Sequence, residues 1–144
     1  MILYADTSAL LKLYIQEEGR ETVQEAIAAA DTVTTHLIAY PELRAALSKA
    51  KRTGRIDDRH LASLVADLDQ DWCFFQVIEV DHPLARRAGE LAQAHDLRGY
   101  DSVHLAAAEA VATQVAPVPF RFAVFDGGLA EAARSLGMAL VGDH

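Results

Sequence analysis

The chain begins Met1-Ile2-Leu3-Tyr4-Ala5-Asp6-Thr7-Ser8, and this stretch constrains the fold more than any other. The apolar run 2–5 is the length of a buried strand and stops abruptly at a carboxylate and two hydroxyls. A strand without polar alternation belongs inside a sheet rather than on its exposed edge. Asp6 then falls where that strand passes into the next helix. In open α/β sheets, ligands bind outside this carboxyl end of the strands.

The rest of the chain alternates strands with helices. Strands are predicted over 2–5, 33–35, 74–80, 122–125 and 139–141. Helices are predicted over 8–15, with Thr7 or Ser8 as cap, and over 21–30, where Val23, Ala26 and Ile27 share a face. A longer helix spans about 37–53, buried through Leu43, Ala46, Leu47 and Ala50. Pro41 requires a kink there or a later start. Further helices start at Asp57 or Asp58, at Pro83, at Asp101 and at Leu129. The pattern predicts one domain over 1–144, an α/β three-layer α/β/α sandwich with a mainly parallel five-stranded sheet.

Composition narrows the function. At 144 residues and 51% hydrophobic, the chain has enough material for one core. No apolar run approaches the roughly 20 residues of a membrane helix, and the N-terminus lacks the pattern of a secretory signal. Cys73 is the sole cysteine, which excludes an internal disulfide and argues against a Cys-based metal site. A cytoplasmic protein is expected. The net charge of -8 argues against broad electrostatic binding of nucleic acid. It leaves room for a nuclease whose acids hold cations, because a bound metal reverses the local field. Six of the thirteen Lys and Arg residues, Arg44, Lys49, Lys51, Arg52, Arg55 and Arg59, fall in one stretch. They read as a solvated helix face or, more sharply, as a phosphate-gripping rim.

Four acids carry the chemistry. Asp6 and Asp126 follow strands, Asp101 sits at a helix start, and Glu42 lies beside a buried helical stripe. Each has a plainer reading as a cap or a surface charge. Together they would repel one another unless cations neutralised them. An all-oxygen set suits Mg²⁺ or Mn²⁺, which also bind phosphate and activate water. His36, His60, His82, His95, His104 and His144 show no HExxH-like spacing. His104, three residues after Asp101 on the same helix face, reads first as a packed structural residue and second as support for the pocket. Ser8 has no nucleophile-elbow glycines, and the chain has no glycine-rich nucleotide loop.

Tyr4-Ala-Asp6-Thr-Ser8 through Tyr14, Tyr40-Pro-Glu42-Leu-Arg44 through Leu47, Leu97-Arg-Gly-Tyr-Asp101-Ser-Val-His104, and Phe122-Ala-Val-Phe-Asp126 through Ala133 together resemble the PIN-domain family, specifically the VapC-type ribonucleases of bacterial toxin–antitoxin pairs. The resemblance covers essentially the whole chain. It implies a Mg²⁺- or Mn²⁺-dependent endoribonuclease with Asp6, Glu42, Asp101 and Asp126 as catalytic and metal-holding acids. It also implies Thr7 or Ser8 as a polar helper, an RNA substrate, a cognate antitoxin and a homodimer. Lys12 and Arg44 are candidate contacts to RNA phosphates from charge and position. Where many relatives have Thr or Ser two residues before the last acid, this chain has Val124, and Gly127-Gly128 replace polar or basic residues after it. These departures leave Asp126 less ordered, or binding metal only with substrate. A catalytically silent PIN-like module binding RNA or antitoxin is the alternative. A receiver-type signalling domain needs an acidic pair after its first strand and a late lysine, and no lysine follows Arg52.

Overall fold

β1 (Ile2–Ala5) lies inside a parallel sheet, as its unbroken apolar run predicts. In the computed structural model, which describes residues 1–143, its neighbours are β2 (Thr32–His36) and β4 (Phe120–Ala123). β3 (Gln76–Ile78) adds outside β2, giving the order β3-β2-β1-β4. Leu3 pairs with Val33 on one side and with Arg121 on the other. His144 lies outside the described residues.

Two strands are shorter than predicted. The run 74–80 pairs only as Gln76–Ile78, because it is an edge strand and Phe74 is turned out to solvent. The expected strand over 139–141 is reduced to one parallel bridge between Leu140 and Phe122. Gly137 and Gly142, at φ 82° and 90°, bend the backbone on both sides of it.

The helices among the described residues are α1 (Thr7–Leu11), α2 (Arg20–Ala29), α3 (Ala39–Arg52), α4 (Asp58–Trp72), α5 (His82–His95), α6 (Gly99–Val115) and α7 (Gly127–Ser135). α1 ends earlier than predicted. Its last N–H groups reach back three residues, Leu13 to Leu10 and Tyr14 to Leu11, and the helix tightens into turns. α3 resolves the Pro41 conflict by starting late, which puts the proline in its first turn. α6 starts two residues before Asp101, so that acid lies inside the first turn.

Side chains alternate across the sheet and build a core on each face. Tyr4 and Phe122 point to the side holding Leu91, Leu105 and Leu129 of α5, α6 and α7. Leu3 and Ala5 point to the side holding Leu10, Leu43, Leu47 and Leu68 of α1, α3 and α4. This is the expected three-layer α/β/α sandwich. No helix among the described residues is long and apolar enough to cross a membrane.

Candidate active site

Asp6 leaves β1 buried and at once caps α1, a task the sequence assigned to Thr7 or Ser8. Its Oδ1 accepts from the Ala9 N–H at 2.9 Å and from the Ser8 hydroxyl at 2.7 Å. The Thr7 hydroxyl is thereby released for other work. Burial lifts the Asp6 pKa from 3.8 to about 6. The His104 ring and the bonds from Ser8 and Ala9 oppose the rise, and the charge of Asp101 adds to it.

Glu42, in the first turn of α3, is held by two donors on one oxygen. Thr7 Oγ1 donates to Oε1 at 2.7 Å, and His104 Nε2 lies 2.9 Å from the same atom. Burial raises the Glu42 pKa, but the bonds from His104 and Thr7 and the charges of His104 and Arg98 outweigh it, leaving the carboxyl below its usual range. His104 is itself buried, with Nδ1 2.9 Å from the Tyr4 hydroxyl and Nε2 3.1 Å from Thr7 Oγ1. An ionised carboxylate only accepts. Nε2 therefore carries the proton toward Glu42, and Nδ1 faces the Tyr4 hydroxyl. One buried chain thus ties β1, α6 and α3 together and gives His104 a positioning role as well as a packed one. Next to it, His36 Nδ1 accepts from the Ile38 N–H at 3.0 Å, while its buried Nε2 has no partner among the described residues. Burial and the neighbouring His104 hold the His36 pKa down.

The other two acids are anchored locally. Asp101 Oδ2 accepts from Arg98 Nε at 3.1 Å, and Asp126 Oδ1 accepts from the Leu129 N–H at 2.9 Å as the cap of α7. The glycines after Asp126 therefore open a helix rather than a loose loop. Arg98 has its proton affinity raised by its bond to Asp101 and by the charges of Asp101, Asp126 and Glu42. It is a cation that senses three of the four acids at once. With Glu42, Gly99, Tyr100 and Asp101 it lines a cavity of about 310 Å³.

Among the described residues, no three acidic, histidine or cysteine side chains already stand as a metal cage. The donor chemistry nevertheless suits a hard divalent cation. All four candidates offer carboxylate oxygen. Asp6 is buried with both of its donors on Oδ1, and its raised pKa marks a charge short of compensation. A cation here would supply that compensation, as Arg98 now does for Asp101.

The expected RNA contacts fare differently. Lys12 is turned inward, with Nζ 3.2 Å from Glu17 and 4.5 Å from the centre of the Phe125 ring, so it is not open to a phosphate. Arg44 is exposed and bonds the Tyr40 hydroxyl at 3.0 Å. The basic stretch is a solvated face, with Lys51 paired to Asp58 and Arg55 to Glu17. Sequence reasoning missed Arg98, Tyr4 and Tyr100. Arg98 was open to detection, since it precedes Asp101 by three residues at a helix start. A larger apolar hollow of about 620 Å³, beside Tyr40, Trp72 and Val80, carries none of the four acids.

The PIN domain family model matches residues 3–135. The chain belongs to the PIN-domain family. Among its relatives, Ribonuclease VapC49 of Mycobacterium tuberculosis (strain ATCC 25618 / H37Rv) is 37% identical over 110 residues, covering 76% of each chain. Ribonuclease VapC3 of Pyrobaculum aerophilum is 31% identical over 114 residues, covering 77% of this chain and 84% of the other. The PIN fold recurs in solved structures. FitAcB from Neisseria gonorrhoeae superposes with a TM-score of 0.70 at 20% identity, over 99% of this chain and 97% of that one. Mycobacterium tuberculosis VapC20, a toxin that cleaves the sarcin-ricin loop, gives 0.65 at 20% identity, over 90% and 94%.

Proposed function

We propose that this PIN domain is a metal-dependent endoribonuclease, the toxin of a toxin–antitoxin pair, that hydrolyses RNA phosphodiester bonds in the cytoplasm. The observation that carries the reading is the buried, under-compensated carboxylate of Asp6 at the end of an interior strand, within electrostatic reach of Asp101. The VapC relatives, named as ribonucleases, point the same way. Asp6, Asp101 and Asp126 would hold Mg²⁺ or Mn²⁺, with Glu42 beside them. When bound, such a cation lowers the pKa of water and neutralises phosphate charge.

The protein's own groups do the positioning. Ser8 and Ala9 hold Asp6 by one oxygen. Thr7 and His104 hold Glu42 ionised, as an acceptor able to orient an attacking water and take up a proton. Arg98 places a positive charge where the substrate phosphate would arrive. A cognate antitoxin and a second copy of the chain are the proposed partners. The antitoxin rests on neighbours solved as toxin–antitoxin complexes, among them VapBC2 from Rickettsia felis.

The test is cleavage of an end-labelled single-stranded RNA pool by purified, antitoxin-free protein, with Mg²⁺, with Mn²⁺, with chelator, and with Asp6→Asn. Cleavage that needs metal and disappears in the folded variant is expected. Cleavage that persists in both chelator and variant overturns the proposed mechanism. Absence of cleavage with every metal shifts the reading to a non-catalytic RNA- or antitoxin-binding module.

A further inference from the structure

We propose that Tyr100 and Phe125, each beside a candidate acid, are stacking platforms for the unpaired bases of a single-stranded RNA, with Arg98 gripping a phosphate. This deepens the ribonuclease reading and rests on it for the nature of the substrate.

Each ring immediately precedes a candidate acid, Tyr100 before Asp101 and Phe125 before Asp126. Both are exposed, Tyr100 at 62% and Phe125 at 39%. Tyr100 stands on the wall of the cavity that holds Glu42, Arg98 and Asp101. Among the described residues its hydroxyl has no hydrogen-bond partner and its ring no aromatic neighbour. Phe125 approaches from the β4 side. Its N–H donates to Ser8 Oγ at 3.3 Å, and that hydroxyl in turn donates to Asp6. The Lys12 ammonium lies over its ring, and its edge rests on Gly19, where an added Cβ would come within 2.9 Å of Cε1. The ring is therefore held in place while still partly open.

An exposed ring alone means little, and Phe74, 82% exposed at the end of α4, shows as much. What separates Tyr100 and Phe125 is their place beside the acids: Tyr100 shares a cavity wall with Glu42, Asp101 and the exposed Arg98, and Phe125 is linked through Ser8 to Asp6. The Arg98 side chain is 82% accessible. A surface ion pair of the kind it makes with Asp101 is weak, so its guanidinium is free to exchange a carboxylate for a phosphate. An acidic protein gains little affinity from its overall field. Stacking supplies attraction that does not depend on charge and accepts any base. It requires unpaired bases, since those of a duplex are already stacked.

The inference is tested by binding rather than turnover. The Asp6→Asn protein, which does not consume substrate, is titrated in Mg²⁺ with a short fluorescein-labelled single-stranded RNA of mixed sequence. The same backbone carrying abasic sugars and a duplex RNA are measured alongside. Tyr100→Leu and Phe125→Leu, each in that background and each checked for an unchanged unfolding transition, should weaken single-strand binding by about 5- to 150-fold. Tyr100→Trp should retain it, and Phe74→Leu should not change it. The abasic strand should bind the parent and the ring variants alike. Arg98→Gln should flatten the salt dependence of log K by about one ion. Leucine variants that bind like their parent, losses equal on the abasic strand, or no single-strand binding at all would overturn the inference. Metal-dependent cleavage by wild type together with indifferent leucine variants leaves the ribonuclease reading intact and rejects the platforms. Ring-dependent binding without cleavage does the reverse.

Discussion

Replacing Asp6 with Asn should abolish cleavage and at the same time stabilise the metal-free protein at neutral pH. The folded pKa of Asp6 is raised from 3.8 to about 6, chiefly by burial. Below the unfolded value both states are protonated, and the site costs nothing. As pH rises from 3.8 to about 6, the unfolded chain ionises while the folded one resists, so stability is lost across that window and the full cost persists above it. At ~1.4 kcal/mol per pKa unit, the cost at pH 7 is about 3 kcal/mol. Asn keeps an oxygen to accept from Ser8 and Ala9 but must bury an amide at a cost of about 1–2 kcal/mol, so the net gain should be about 1–2 kcal/mol. That corresponds to a rise in Tm of roughly 3–8 °C for a domain of this size. The assay is thermal unfolding of both proteins in chelator across the acid-to-neutral range. The Asn advantage should shrink as pH falls through the window. Added divalent cation should raise the Tm of wild type and leave the variant unmoved. An Asn variant less stable than wild type at neutral pH in chelator, by a margin independent of pH, would refute the argument from burial.

Two further outcomes follow from the same geometry. Thr7→Val removes a donor from Glu42 and should cost about 1 kcal/mol at neutral pH. Because the folded Glu42 pKa is depressed, that loss should fade as pH drops below the ordinary value of 4.5, which urea unfolding at several pH values would reveal. Gly19→Ala places a Cβ on a residue at φ 91° and against Phe125, and should destabilise by about 1–2 kcal/mol. Its Phe125 contact should also be disturbed, which weaker binding of single-stranded RNA would report.

Much of the fold was legible along the chain because its cause is local. The span of β1, the late start forced by Pro41 and the helix opened at Pro83 depend on periodicity and backbone sterics over a few residues. The candidate site was legible in part. Asp6 and Asp126 could be named as residues that follow strands, Asp101 as one that opens a helix and Glu42 as one beside a buried helical stripe, and the resemblance to PIN domains put them in order. The edge strand and the lost fifth strand were less readable, since pairing depends on neighbours far away in the chain.

The sequence by itself therefore determined an interior β1 ending in Asp6, alternating helices around a parallel sheet, and a choice of oxygen-rich acids suited to phosphate chemistry. Only the tertiary structure decided what each polar group does. Asp6 rather than Thr7 caps α1, and this frees Thr7 to reach Glu42, 35 residues away. His104 joins Tyr4 to Glu42 across separations of 100 and 62 residues. Lys12 turns to Glu17 and Phe125 instead of outward. Apolar periodicity is set by the geometry of one element, so a sequence displays it. A hydrogen-bond partner is chosen among groups that folding brings together from distant parts of the chain, so it exists only in the folded protein.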